Sequence, residues 1–307
     1  MVTAVRAPQT RITGLGRWRH FLALTKPRII ELLLVTTIPT MFVAQRGLPS
    51  ISLMFYTLIG GALAAGGANA FNMYIDRDID HLMERTARRP LVTGVIKPWE
   101  AKLFAYVLEI AAFLWLSLTV NYLSAVLAVA ACLFYVFIYT LWLKRSNEQN
   151  IVIGGAAGAV PALVGWSAVT NELALAPWIL FAVIFFWTPP HFWALAIKYE
   201  NDYKNASVPM MPAVAGHSNT ALQMTVYAAI TWFFSLGFAA AAEMGVIYIT
   251  TALIAGAMFT WKALRLYLSK NTSIQAQQAI KYFQFSITYL TILFVAMAVD
   301  QLVGWGP

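Results

Sequence analysis

Residues 122–143 read YLSAVLAVAACLFYVFIYTLWL, with no charged side chain from end to end. About 20 apolar residues suffice to cross the hydrocarbon core of a bilayer as a helix. Lys144 and Arg145 follow at once. The run is too long for a strand of a membrane barrel and lacks the alternation of such strands. It reads as a transmembrane α-helix that stops at a basic boundary. Runs of the same kind lie on both sides of it, at 29–45, 51–73, 99–119, 151–169, 174–196, 220–240, 243–263 and 281–303. With 122–143 they predict nine spans.

The whole chain agrees with this reading. Of its 307 residues 60% are apolar and 11% charged, and the mean hydropathy is +0.67. Ordinary soluble domains carry about a quarter charged residues, so a soluble globular enzyme is excluded. The expectation is an all-α polytopic membrane protein. A basic cytoplasmic segment, 1–28, precedes a single transmembrane unit over 29–307.

The balance is basic, net +8 with a pI near 9.6. In a soluble protein this would suggest nucleic-acid binding. Here the charges occupy short gaps between apolar runs. They read as topology determinants and contacts with anionic lipid headgroups, and no nucleic-acid partner is expected. With the N-terminus in the cytoplasm, every one of the 21 Lys and Arg except Arg46 falls on one face. The positive-inside rule then puts the N-terminus inside and the C-terminus outside. The Arg-rich start reads as a basic anchor rather than a transit peptide. A bacterial plasma membrane is the expected location, ahead of a mitochondrial inner membrane. The single Cys132 excludes an intramolecular disulfide and reads as a small buried hydrophobe.

The densest chemistry is Asn72-Met73-Tyr74-Ile75-Asp76-Arg77-Asp78-Ile79-Asp80, at the cytoplasmic end of the second span. Asn72, Asp76 and Asp80 are four residues apart and share one helix face. Stacked carboxylates repel, so a cation is the natural companion. Mg²⁺ takes hard oxygens, typically one or two carboxylates with substrate phosphates and waters. Arg85, Arg88 and Arg89 lie close by and suit the remaining oxygens of a diphosphate. A second loop on the same face holds Lys198 and Asp202, one helical turn apart. There Asp202 is a second metal candidate and Lys198 a phosphate candidate. Just upstream, Pro189-Pro190 is expected to break or kink its helix, and His191 follows among aromatics. Gly60-Gly61, Gly66-Gly67 and Gly154-Gly155 read as close helix packing. These features predict a membrane enzyme that binds a diphosphate ester through Mg²⁺. An apolar organic group, such as an isoprenoid, suits the surroundings.

The acidic row resembles the first acidic motif of the intramembrane prenyltransferases typified by 4-hydroxybenzoate polyprenyltransferase. Tyr139 with Lys144-Arg145 is similar to that family's motif at the end of its fourth helix. More narrowly, several stretches resemble the haem-farnesylating branch. These are Thr25-Lys26-Pro27-Arg28, Arg85-Thr86 with Arg88-Arg89-Pro90-Leu91, residues 149–158, Trp187 to Ala196, and Asp202-Tyr203 with Val208 to Pro212. Where other members carry a second DxxxD, this chain has Lys198 and Asp202.

The resemblance implies nine helices around a lateral, lipid-open cavity with the active site at the cytoplasmic face. It implies transfer of farnesyl from farnesyl diphosphate to a vinyl group of haem B, with water addition, giving haem O for a downstream haem A synthase. Carried onto this chain, Asn72, Asp76 and Asp80 hold Mg²⁺-diphosphate, and Asp202 supports the second half-site. Arg77, Arg85, Arg88, Lys144 and Lys198 contact phosphate or haem propionates, Tyr139 lines the site, and His191 orients the haem. Two alternatives remain at this point: a prenyltransferase for another acceptor, such as a quinone precursor, and a cation-coupled transporter. For the transporter, Glu31 and Glu109 are the only acids nearer the membrane interior.

Overall fold

The computed structural model describes residues 14–269 and 272–304, with the side chains of 14–15, 28–34 and 272–274 outside the description. Among the described residues nine long helices run in chain order. They are α1 (Pro27–Gln45), α2 (Ile51–Ile75), α3 (Pro98–Thr119), α4 (Tyr122–Ser146), α5 (Asn150–Thr170), α6 (Leu175–Lys198), α7 (Met211–Ala241), α8 (Val246–Leu268) and α9 (Thr272–Val303). Among the described residues eight of them, not nine, are long and apolar enough to cross a membrane. The expected span 29–45 falls on α1, part of whose side chains, Glu31 included, lie outside the description. Of the basic segment, residues 14–24 form a short helix. Its Arg17 pairs with Glu100 at the start of α3, at 2.8 Å; Arg6 and Arg11 lie outside the described residues.

Local sequence sets the helix starts. Ser50 caps α2 by accepting from the Leu53 N–H, and Asn121 caps α4 by accepting from Ser124. Prolines open α1, α3 and α7, where a missing N–H costs nothing. Two sequence expectations change. The pair Pro189-Pro190 lies inside an unbroken α6. Next door, the Thr188 hydroxyl donates to the Ile184 carbonyl, the kind of local bond that lets a membrane helix tolerate proline. Helix α7 begins well before residue 220, and bends where Gly216 takes a φ of 75°. That shortens the sixth gap to a small helix at Glu200–Asn205 and a turn.

Neighbours in sequence pack as neighbours in space, while α1 packs against α5 and α9, and α9 against α6. The two halves pack differently. In the α6–α9 half the core is aromatic, with Trp187, Trp193, Phe238, Tyr248, Phe259, Tyr289 and Phe294 buried. In the α2–α4 half small residues bring backbones together, and Gly60 and Gly67 leave room for Leu116 and Glu109 of α3. Water-driven burial does not act between helices in lipid, so close contact of this kind holds them.

Candidate active site

A cavity of about 380 Å³ lies among the helices. Along α2 its lining extends from Asn72 to Thr57, about 22 Å of helix at 1.5 Å per residue. One end is polar, lined by Lys26, Asn72, Asp80, Arg85, Arg89 and Lys144. The shaft is walled by small residues, among them Gly61, Ala65, Ala128, Gly154 and Gly158, with Val164 and Leu290 beyond. The glycines thus pack helices, as the sequence suggests, and several also keep this shaft open.

Helix α2 stops at Ile75, and Asp76 has φ −80° and ψ 1°. A four-residue helix, Arg77–Asp80, then resumes. The expected single face therefore spans a break, yet Asn72, Asp76 and Asp80 remain together and all three are buried. Asn72 Nδ2 donates to Asp76 Oδ2 at 2.7 Å and to Thr140 Oγ at 3.2 Å. Lys144 Nζ pairs with Asp76 Oδ2. Arg89 pairs with Asp80 Oδ2 at 2.5 Å. Lys26 Nζ donates to Asn72 Oδ1 at 2.9 Å. The other oxygens, Asp76 Oδ1 and Asp80 Oδ1, are buried and accept no hydrogen bond. Arg145 reaches Asp76 Oδ1 only at 3.6 Å.

Electrostatics follow from this crowding. Burial raises the Asp80 carboxyl above the usual carboxylate range, and Arg89 pulls it back. Burial pushes the Lys26 ammonium well below its usual value, with Arg89 and Lys144 adding to the effect and Asp76 and Asp80 opposing it. Outside the cavity, Asp78 is held below the usual range by hydrogen bonds from Arg145 at 2.6 and 2.7 Å. Cations thus surround two carboxylates that each keep a spare oxygen.

The second half of α4 is a π-helix, Phe134–Leu143. Thr140 Oγ bonds to the Tyr135 carbonyl five residues back. Such wide turns often mark functional sites. Here Tyr135, Tyr139 and Lys144 all line the cavity, with the two tyrosine rings stacked at 5.4 Å. A Cβ at Gly154 would stand 2.3 Å from the Tyr139 ring, so only glycine leaves that ring its place.

Of the residues singled out in the sequence, Asn72, Asp80, Arg85, Tyr139 and Lys144 line the cavity, and Asp76 bonds to its polar wall. Asp202 does not line it; its carboxylate accepts from the Arg85 N–H at 3.3 Å and fastens that loop to the Glu200–Asn205 helix. Arg77 is exposed and folds back on Tyr74, with its guanidinium 4.7 Å from the ring. Arg88 and Lys198 are exposed and outside the lining. His191 is buried in the wall behind Thr188 and Phe192, its ring stacked with Trp187 and Phe283. Sequence reasoning did not single out Lys26, Tyr135 or Thr140 as site residues, and it grouped Arg89 with Arg85 and Arg88 as suited to diphosphate without carrying it into the contacts the resemblance implies. For Lys26 the available signal was its place directly before the helix-opening Pro27. Among the described residues no three His, Cys, Asp or Glu side chains form a complete metal cage.

The sequence profile of the UbiA prenyltransferase family matches residues 33–297. The chain belongs to the UbiA prenyltransferase family. It is 49% identical to "Protoheme IX farnesyltransferase" of Clavibacter michiganensis subsp. michiganensis, over 98% of this chain and 99% of the relative. Its fold is that of solved UbiA-type structures. A digeranylgeranylglyceryl phosphate synthase superposes with a TM-score of 0.76 at 19% identity, over 94% of this chain and 99% of that one. A UbiA homologue from Archaeoglobus fulgidus, bound to DMAPP and Mg²⁺, superposes with a TM-score of 0.67 at 18% identity, over 91% and 99%. The UbiA fold is thus an all-α polytopic membrane architecture, and the chain is a prenyltransferase of that family.

Proposed function

We propose that this UbiA-family chain transfers the farnesyl group of farnesyl diphosphate to a vinyl group of haem B, with water addition, releasing diphosphate and haem O. The observation that carries this reading is near-half identity, over almost the whole chain, to relatives named for that activity. The geometry supports it: a cationic, carboxylate-bearing mouth opens onto a long apolar shaft.

Asn72, Asp76 and Asp80 are the residues that would hold Mg²⁺. Their fit rests on the two buried carboxylate oxygens that lack hydrogen-bond partners, a donor set Mg²⁺ completes with substrate oxygens and water. Mg²⁺ supplies charge that stabilises the departing diphosphate. Lys26, Arg85, Arg89 and Lys144 grip the remaining diphosphate oxygens. The farnesyl chain lies in the shaft, with its allylic carbon near Tyr135 and Tyr139, whose ring faces favour positive charge. The allylic C–O bond breaks and its electron pair leaves with diphosphate. The terminal vinyl carbon of haem B bonds to the allylic carbon. Water bonds to the cation left on the inner vinyl carbon and then loses a proton. His191 orients the haem. Arg77, Arg88 and Lys198 stand outside the cavity, exposed to haem propionates or lipid headgroups, and Asp202 holds the Arg85 loop rather than a second Mg²⁺.

In the membrane, α1 is the first of nine spans within one unit over 29–307, with a lateral opening to lipid. The N-terminus is cytoplasmic, the C-terminus outside, and the site faces the cytoplasm of a bacterial plasma membrane. The support is the charge pattern of the sequence: with the N-terminus in the cytoplasm, the gaps that carry the site residues fall on the face that takes every Lys and Arg but Arg46. Haem O then passes to a haem A synthase.

The deciding experiment is haem extraction and mass spectrometry on membranes expressing this chain, against Asp76→Ala. A haem species heavier by farnesyl plus water, absent from the mutant, is the expected result. Unchanged haem B with farnesyl diphosphate consumed on another acceptor overturns the reading.

A further inference from the structure

Helices α6 and α9 meet at a polar contact between His191 and Ser286. Ser286 Oγ lies 2.6 Å from His191 Nδ1 and 2.6 Å from the Phe283 carbonyl oxygen. A serine hydroxyl has one proton, and a carbonyl only accepts. If that proton pointed at His191, Ser286 Oγ and the Phe283 oxygen would face each other as two acceptors at 2.6 Å. Every atom is satisfied only when Ser286 donates to Phe283 and Nδ1 carries a hydrogen that it donates to Ser286. In the uncharged ring with its hydrogen on Nδ1, Nε2 keeps a bare lone pair.

The ring is also fixed in orientation. Trp187 stacks on it at 4.2 Å and Phe283 at 4.5 Å between centroids. Trp187 Nε1 in turn donates to the Ser286 carbonyl at 3.0 Å. With both faces covered and Phe192 packed T-shaped against the ring at 5.1 Å, only the part of the ring edge that Phe192 leaves open can meet a ligand. Nε2 makes no hydrogen bond to a described residue. Of the rings packed on His191, Trp187 and Phe192 line the cavity, which His191 itself adjoins without lining.

We propose that Ser286 is a positioning residue, whose hydroxyl holds His191 in the Nδ1–H form and so presents Nε2 as a lone-pair donor to the iron of haem B. The inference rests on the reading that His191 meets the haem. A histidine that binds a metal through one nitrogen usually donates the other N–H to an oxygen acceptor, which fixes the tautomer. Here the acceptor comes from a different helix, so the ligand form of His191 exists only where α6 and α9 are docked.

The test uses the full-length protein purified in detergent, titrated with haem B and followed by its Soret spectrum. Farnesyl diphosphate binding is measured in parallel as a check on the fold. Ser286→Ala is expected to weaken haem binding about ten-fold, the lower range for loss of such a partner, and to shift the Soret band. Ser286→Thr keeps a γ-hydroxyl and is expected to restore both. If Ser286→Ala binds haem B with wild-type affinity and spectrum while His191→Ala loses both, the role of Ser286 is overturned and that of His191 stands. If Ser286→Thr behaves like Ser286→Ala while still binding farnesyl diphosphate, the hydroxyl argument fails. If His191→Ala keeps the wild-type spectrum, the His191 reading falls and this inference falls with it.

Discussion

Buried carboxylates sit at both ends of the helix bundle, and they are treated in opposite ways. At the end away from the cavity mouth, Asp300 of α9 is fully used. Its Oδ1 accepts from the N–H groups of Ile247 and Tyr248, at 3.1 and 3.2 Å, and its Oδ2 from Gly245. It caps α8 from a neighbouring helix and so satisfies amides that a helix start leaves free. At the other end Asp76 and Asp80 each bond through Oδ2, while each Oδ1 accepts no hydrogen bond. An unpaired buried acceptor costs about 1–3 kcal/mol. A carboxylate with both oxygens used is structural. One that keeps a costly oxygen spare beside a cavity is kept for a ligand.

The largest effects should separate these two ends by activity. Asp80→Asn keeps the shape but removes the charge that Mg²⁺ needs, and haem O formation should fall at least ~10²-fold, the scale for losing one electrostatic partner. Asp300→Asn should leave turnover per folded molecule unchanged. Mass-spectrometric haem analysis of both variants checks this, and an Asp80→Asn protein with wild-type output breaks the comparison.

Ligand linkage gives the next test. Mg²⁺ with a non-reactive farnesyl diphosphate analogue should raise the thermal midpoint of the wild type, because a ligand at 100 times its Kd adds about 2.7 kcal/mol. The same addition should do nothing for Asp76→Asn and act normally on Asp300→Asn. A chelator should abolish turnover and leave the midpoint without analogue unchanged. The Asp300 end carries its own cost. Asn at 300 offers an N–H to donors it should accept from, so stability should fall by about 1–3 kcal/mol, read as a lower melting midpoint.

How much of this was legible in sequence depends on the kind of signal. The spans were legible because one apolar run, such as 122–143, contains all that a membrane helix requires. The acidic row was legible because Asn72, Asp76 and Asp80 lie within one segment at helical spacing, even though Asp76 interrupts the helix. Partners from elsewhere in the chain were not. Lys26 joins Asn72 across 46 residues and Lys144 joins Asp76 across 68. Topology charge and site charge look alike in sequence, so Arg88 was favoured while its neighbour Arg89 makes the ion pair. The π-helical turns of α4 leave no mark in composition either.

The smallest predicted effects come from one substitution at the two ends of one helix. In α5, Gly154 faces a side chain of the site and Gly165 faces backbone. A Cβ at Gly154 would meet the Tyr139 ring at 2.3 Å, whereas at Gly165 it would meet the Thr37 carbonyl oxygen at 2.6 Å. A ring can swing away, but a backbone carbonyl moves only with its helix. Gly165→Ala should therefore push α1 from α5 and cost about 1–3 kcal/mol of stability, the usual range for overpacking, with little change in KM. Gly154→Ala should cost less stability and instead raise KM for farnesyl diphosphate, because the displaced Tyr139 enters the shaft. Melting curves and steady-state kinetics on the pair decide it. If Gly154→Ala lowers only the melting midpoint, Tyr139 packs helices and does not hold substrate, and the functional end of the bundle contracts to the carboxylates and their cations.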